Sequence, residues 1–282
     1  MEDRRKKKGN IYIPFLSPYL LVLFGFIILP MVVIIVYSVL QQRTDLPTYT
    51  LSFENYAKFF EKHVYMLLIL RSLYYALIST VVCIIICYPI AYFIAKRKPG
   101  TQALLVLLVT APMWINMLLR TLAIKQLLDG PIYQFVKMFN PNVNVLTGSD
   151  FAVIFGMVYN YVPYMILPIY TSLSKIDQRL LEASTDLGAK GKQTFKNVIL
   201  PLSIPGVLSG VTIVFLSSAT TITITKYLGE GRYFLIGNLI ETEFLTNSRW
   251  SFGSAMSVIL LIVVMSIMWL INRFDNSEKE AV

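Results

Sequence analysis

The sequence predicts an all-α membrane protein with six transmembrane helices, and three observations carry that expectation. Hydrophobic residues make up 56% of the 282-residue chain and charged residues 15%, where an ordinary soluble domain carries about 25% charged residues. Six apolar stretches, residues 18–40, 73–95, 101–119, 151–173, 202–225 and 252–272, are long enough to cross a hydrocarbon core of about 30 Å, which takes about 20 residues. None of them holds an Asp, Glu, Lys or Arg. The third observation is how the basic residues are sorted. Arg4, Arg5, Lys6, Lys7 and Lys8 precede the first stretch, and Lys96, Arg97 and Lys98 follow the second. Lys175, Arg179, Lys190, Lys192 and Lys196 follow the fourth, and Arg273 and Lys279 follow the sixth. Short loops rich in Lys and Arg stay in the cytoplasm, so both termini and these two loops are expected there. The net charge of +9 is then a topological signal, partly facing anionic lipid, and not a nucleic-acid surface.

The first apolar stretch is too long for a cleaved secretory signal and no small-residue cleavage site follows Leu40, so it is a retained first span. The outer loop, residues 41–66, offers Ser52 as the cap of a short helix bearing Phe53, Tyr56, Phe59 and Phe60, an aromatic face suited to the bilayer interface. His63, the single histidine, reads as a surface residue of that loop. Cys83 and Cys87 stand at i and i+4 in the second span and read as buried thiols. A second outer loop, residues 127–150, carries turn chemistry at Asp129-Gly130-Pro131 and Asn140-Pro141-Asn142. Pro30, Pro89, Pro112, Pro163, Pro168 and Pro205 each remove a backbone donor within a span, which predicts bent or interrupted helices. Glu241 and Glu243, before the sixth span, read as solvated outer-loop charge or as a receiving point for a cation or a binding protein.

Residues 181–205 form a conspicuously polar insert between two membrane-length runs. Over residues 178–187 the helical wheel puts Leu180, Leu181, Ala183, Ser184 and Leu187 on one arc, expected to pack, and Gln178, Arg179, Glu182, Thr185 and Asp186 on the other. Asp177 suits the N-cap and Gly188 a left-handed C-terminus. A second short helix is expected to run to Pro201. The whole chain reads as one membrane domain: residues 1–66 hold the tail, first helix and outer loop, 67–272 a core with the polar loop at 174–205, and 273–282 a cytoplasmic tail.

No catalytic constellation is legible: the chain has one histidine, no carboxylate pair within a span, no metal-ligand spacing and no nucleophile elbow. Gly191-Lys192-Gln193-Thr194 superficially suggests a phosphate loop, but that motif needs a glycine at 186 and Gly-Lys with Ser or Thr after it, and Asp186 and Gln193 exclude it. Any ATP-driven work must therefore draw on a separate subunit.

The run Glu182-Ala183-Ser184, Gly188 and Val198-Ile199-Leu200-Pro201 resembles, at matching spacing, the EAA motif of bacterial ABC importer permeases. It departs from the usual pattern only at Ser184, commonly alanine, and Val198, commonly isoleucine. Phe53-Glu54-Asn55-Tyr56, Arg71-Ser72-Leu73, Tyr88-Pro89-Ile90-Ala91, Met157-Val158-Tyr159 with Pro163 and Pro168, and Leu235-Ile236-Gly237-Asn238 narrow the resemblance, over nearly the whole chain, to spermidine/putrescine permeases. The resemblance implies a type I, MetI-like ABC importer permease fold in the cytoplasmic membrane. It further implies a second homologous permease, two cytoplasmic ATPases holding ATP and Mg, and an extracytoplasmic polyamine-binding protein, with no cofactor on this chain. Carried over residue by residue, it gives ATPase coupling to Glu182, Ala183, Asp186 and Gly188, with Leu200 and Pro201 returning the chain to the membrane.

A polyamine is an extended cation, and a route for it needs carbonyls, hydroxyls, carboxylates or aromatic faces. With no acid in a span, the candidates are Trp114 and Asn116 beside Pro112; Tyr159, Asn160 and Tyr161 before Pro163; and Ser217, Thr221 and Thr225, a hydroxyl stripe repeating every four residues. Each has an alternative reading: threonines bond the preceding carbonyl, and aromatics fill helix interfaces. Another cargo, such as sulfate or an amino acid, keeps the same mechanism. A secondary transporter is a second alternative, disfavoured by the absence of intramembrane acids.

Overall fold

The computed structural model of the chain describes residues 13–42, 49–141 and 146–279. The basic residues 4–8 and Asn142 of the expected turn lie outside the described residues. Two units are distinguished, one made of residues up to His63 together with Ile240–Leu261, the other of Val64–Leu239 and Ile262 onward.

In the first unit α1 (Ile13–Leu23) passes through a π-turn, Phe24–Ile28, into α2 (Leu29–Ser38). The Leu29 amide bonds Phe24 O, five residues back. This widened turn lies immediately before Pro30, which has no amide to give, so the helix continues where an ordinary α-turn would meet the proline ring. Strands β1 (Leu40–Gln42) and β2 (Tyr49–Leu51) pair antiparallel, Leu40 opposite Leu51. The short α3 (Glu54–Glu61) follows, Ser52 Oγ accepting from Glu54 N at 3.2 Å. Its aromatics divide: Phe59 is buried, while Phe53 and Phe60 stay exposed. Tyr56 donates to Ser38 Oγ at 2.7 Å, fastening α3 to the end of α2. Glu243 in this unit corrects the expectation of solvated charge. It is 2% exposed, and Arg249 grips it with Nε at 2.7 Å and Nη2 at 2.8 Å, with Asn247 adding a bond of 3.1 Å.

The second unit holds the core. Its helices are α4 (His63–Ala95), α5 (Pro99–Thr110) ending in the 3₁₀ turn Ala111–Trp114, α6 (Met117–Asp129), α7 (Pro131–Phe139) and α8 (Asp150–Ser174). Next come α9 (Gln178–Asp186), α10 (Gly191–Thr194), the π-turn Phe195–Ile199, α11 (Leu200–Ala219), α12 (Thr223–Leu228), α13 (Ile236–Leu245) and α14 (Trp250–Lys279), the last two extending into the first unit. Cys83 and Cys87 are buried free thiols against the α8 carbonyls of Val158 and Val162.

Among the described residues, five helices are long and apolar enough to cross a membrane, and six if the pair Pro99–Trp114 and Met117–Phe139 counts as one. That pair corrects the expected third span: the helix stops at Trp114 and resumes at Met117 after a bend of 93°, with Asn116 Oδ1 capping the new start by accepting from Leu118 N at 2.8 Å. The fifth span is corrected at both ends. Helix runs from Gly191, well before Leu202, through Pro201 without a break, and ends at Ala219. Its π-turn before Pro201 repeats the device before Pro30, with Leu200 N bonded to Phe195 O. Pro89, Pro163, Pro168 and Pro205 all lie inside continuous helices. Of the six prolines, Pro112 alone sits at an interruption.

Helix α8 is the axis of the core: 61% of its apolar window is buried, against 33% or less for the other long helices. α11 packs along it through Gly206 and Gly210, spaced i and i+4. A Cβ on Gly206 would stand 2.5 Å from Ser172 Cβ and 2.6 Å from Pro168 O; one on Gly210 would meet Met165 Sδ at 2.6 Å. Two apolar helices gain little from association in lipid except dispersion at close backbone approach, which small residues permit. Gly156 gives α12 the same access to α8, in contact with Leu228 and Ile224. Gly206→Val is accordingly expected to lower stability by about 1–3 kcal/mol, read as a lower thermal midpoint of the purified membrane protein. Gly100→Ala, where nothing lies within 4 Å, leaves the midpoint near wild type.

Candidate functional site

The polar loop is built as a clamped pair of helices. Asp177 caps α9, its Oδ1 accepting from Arg179 N at 3.0 Å. At the other end Gly188 adopts φ +81°, Gly188 N bonds Thr185 O at 2.9 Å and Ala189 N bonds Ser184 O at 3.1 Å. This is a Schellman closure, whose left-handed position glycine fills at least cost. Gln193 Oε1 then accepts from Lys190 N at 2.7 Å and starts α10. The hydroxyls of Ser184 and Thr194 meet at 2.9 Å and both residues are buried. Serine at the third motif position thus ties α9 to α10, a role that spacing alone did not reveal.

The packing face of α9 is narrower than the wheel suggests. Only Leu181 and Ser184 are covered; Leu180, Ala183 and Leu187 are exposed along with Glu182, Asp186 and Gly188. An apolar strip and two acids therefore share one free surface, and contiguous exposed apolar residues rimmed by charge mark contact sites. Behind α9 lies a cleft of about 350 Å³ lined by Tyr92, Lys96, Arg97, Gln102, Gln178 and Leu181 among others. Phe195 pins the following turn to α4, edge-on to Tyr88 at 6.0 Å and Tyr92 at 5.4 Å, while Tyr88 Oη meets Ser203 Oγ at 2.8 Å. Leu200 and Pro201 lie on the continuous helix that leaves this clamp.

The transport-path candidates divide. Trp114, 80% exposed, and Tyr159, half exposed, project from the described surface. Asn116 is spent as the cap of α6. Asn160 is fully buried, its Nδ2 donating to Gly156 O at 2.9 Å and, at 3.4 Å, to Thr121 Oγ1. Tyr161 donates to Ser217 O at 3.0 Å. The hydroxyl stripe is corrected: helix ends at Ala219 and restarts at Thr223, so Ser217, Thr221 and Thr225 do not share one helical face. Thr225 instead donates to Asn238 Oδ1 at 2.6 Å, and Asn238 Nδ2 donates to Ile222 O at 3.1 Å, closing the break between α11 and α12. Sequence reading missed Arg120, one residue beyond the stretch ending at Leu119, although it is 7% exposed in the core beside this group. A single charge in the otherwise uncharged run from Trp114 to Ile124 was the available signal.

The binding-protein-dependent transport system inner membrane component family matches residues 9–279. The chain belongs to this family. It is 33% identical over 265 residues to the spermidine/putrescine transport system permease protein PotB of Haemophilus influenzae, covering 90% of this chain and 92% of that protein. To PotB of Escherichia coli it is 35% identical over 235 residues, covering 80% and 85%. The solved structure of a bacterial ABC transporter importing the acidic polysaccharide alginate superposes with a TM-score of 0.74 at 14% identity, covering 94% of each chain. The inward-facing MetNI methionine transporter gives 0.59 at 17% identity, covering 75% of this chain and 94% of that one. The family and fold make this chain a multi-pass permease component of the inner membrane, with ATP hydrolysis on a separate subunit. The run that resembles the EAA motif starts on α9 of this clamp and ends at Pro201, beyond α10.

Proposed function

We propose that this chain is one of two permease subunits of an ATP-driven importer of spermidine and putrescine, coupled to its ATPases through α9. The observation that carries the coupling role is the exposed surface of Glu182, Ala183, Asp186 and Gly188 on a helix capped at both ends. Glu182 supplies a charge-assisted contact, Ala183 permits close approach, and Gly188 sets the turn. A push on α9 is transmitted because the Ser184–Thr194 bond joins it to a helix of 29 residues from Gly191 to Ala219, a lever of about 40 Å. That lever lies along α8 at the two glycines, so movement at the loop reaches the Asn160–Tyr161 level of the core. The polyamine cargo is supported by identity to two PotB proteins over most of both chains. Substrate-path roles for Trp114, Asn116, Tyr159, Asn160, Tyr161, Ser217, Thr221 and Thr225 belong to the same proposal. So do the second permease, the paired ATPases and the extracytoplasmic binding protein.

In this reading both termini and the α9–α10 loop are cytoplasmic, by the distribution of Lys and Arg. In a background lacking Cys83 and Cys87, Lys192→Cys is expected to resist an impermeant thiol reagent in intact cells and to react in inverted vesicles; labelling from outside reverses the topology.

Glu182→Ala and Gly188→Val are expected to keep normal membrane levels while weakening ATPase association about tenfold or more. Loss of a charge-assisted bond costs about 1.5–3 kcal/mol, and valine is poorly tolerated at positive φ. Copurification and uptake measure it, and wild-type values in both variants remove the coupling role.

For the cargo, proteoliposomes holding the chain, its partner permease, the ATPase and the binding protein are expected to hydrolyse ATP faster with spermidine or putrescine and to accumulate it. Trp114→Ala and Tyr159→Ala lower uptake more than assembly. Stimulation by sulfate or an amino acid, with none by polyamines, would leave the permease role standing and change the cargo.

A further inference from the structure

Four buried side-chain atoms that lack a hydrogen-bond partner among the described residues gather on three residues: Arg120 Nε and Nη1, Asn160 Oδ1 and Thr221 Oγ1. A fifth such atom, Glu243 Oε2, stands 2.7 Å from Arg249 Nε and is compensated by that ion pair. The three residues are 7%, 0% and 5% exposed. Asn160 reaches Thr121, the neighbour of Arg120 in sequence, and the Tyr161 oxygen has the Thr221 hydroxyl within side-chain hydrogen-bond reach and the Arg120 charge nearby. The group sits where two helices are interrupted: α6 starts after the 93° break, and Thr221 lies in the gap between α11 and α12.

Buried polar atoms are nearly always paired, and an uncompensated buried charge is strongly unfavourable. A guanidinium cannot escape by losing its proton. Nor does an acid on the surrounding elements supply the counter-charge. Asp129, at the end of α6, accepts from Thr147 at 2.5 Å. Asp150, at the start of α8, accepts from Tyr75. Glu230, beyond α12, pairs with Lys125 at 2.9 Å.

We propose that Arg120, with Thr221 and Asn160, forms a binding site for a small monovalent anion of halide size. One guanidinium asks for one negative charge. Enclosure by α6, α8 and the α11–α12 gap of a single chain asks for a small ligand. The free Nε–H and Nη1–H donate to the anion, the Thr221 hydroxyl turns to it from the neighbouring Tyr161 oxygen, and a water accompanying it donates to Asn160 Oδ1. The orientation of that amide is set by the bond from Nδ2 to Gly156 O at 2.9 Å. The bound anion neutralises the one buried guanidinium beside Asn160 and Tyr161, so that a cation passing there meets no net repulsion. The site stands on the orphaned atoms and does not depend on which solute is carried.

The test uses the assembled transporter in lipid nanodiscs, titrated with chloride or bromide against gluconate at constant ionic strength. The thermal midpoint is expected to rise saturably with either halide, and crystals grown in bromide to show anomalous density beside the guanidinium. Arg120→Met, which removes the charge at similar volume, abolishes the halide response. Thr221→Val keeps the charge and raises the half-saturating halide concentration several-fold, and it carries the test if Arg120→Met does not assemble. Equal midpoints in chloride and gluconate, or an unchanged halide response in Thr221→Val, overturn the proposal. A carboxylate of another subunit seen on Arg120 overturns it as well.

Discussion

The approach of α11 to α8 at Gly206 and Gly210 is the contact on which the remainder of the core depends. In lipid there is no water to drive apolar faces together, so a helix pair is held by how closely its backbones can come. With Pro168 O 2.6 Å from where a Cβ on Gly206 would lie, the pair has no room for any larger side chain. This fixes the lateral position of the long helix that begins at Gly191, and with it α10, the Phe195 turn seated on Tyr88 and Tyr92, and α9 through the Ser184–Thr194 bond. The exposed residues of α9 are thus mounted on a helix held by close backbone packing against α8.

A second constraint is the obligation to satisfy backbone groups where water is scarce. Two prolines are absorbed by π-turns, before Pro30 and before Pro201, and the helices continue. Where the helices do stop, side chains replace the missing helical bonds: Asn116 caps the start of α6, and Asn238 with Thr225 closes the gap between α11 and α12. These breaks bring polar groups into the core because the backbone requires them. Arg120, Asn160 and Thr221 occupy the same level without completing their own bonds, which distinguishes them from the structural caps beside them.

The membrane-spanning character and the two caps of α9 were legible in sequence because each rests on local information. Span length is a count of apolar residues, and Asp177 and Gly188 act within a few residues of themselves. The breaks were less legible. Pro112 marked one correctly, yet four prolines inside continuous helices carry the same signal without an interruption. The pair Gly206 and Gly210 was also readable as small residues four apart, although only the opposing Pro168 and Met165 show what they admit.

Sequence alone determined that this is a helical membrane protein with a polar loop that resembles the EAA motif, since hydropathy and spacing are properties of the chain in order. Tertiary structure decided which of its polar residues have partners. Ser184 was a neutral departure from a motif until Thr194 lay beside it, and Glu243 was surface charge until Arg249 enclosed it. Ser217, Thr221 and Thr225 were a stripe until the helix between them ended at Ala219. In each case the deciding quantity is desolvation, which depends on every element that covers a group and is therefore absent from any local window of sequence.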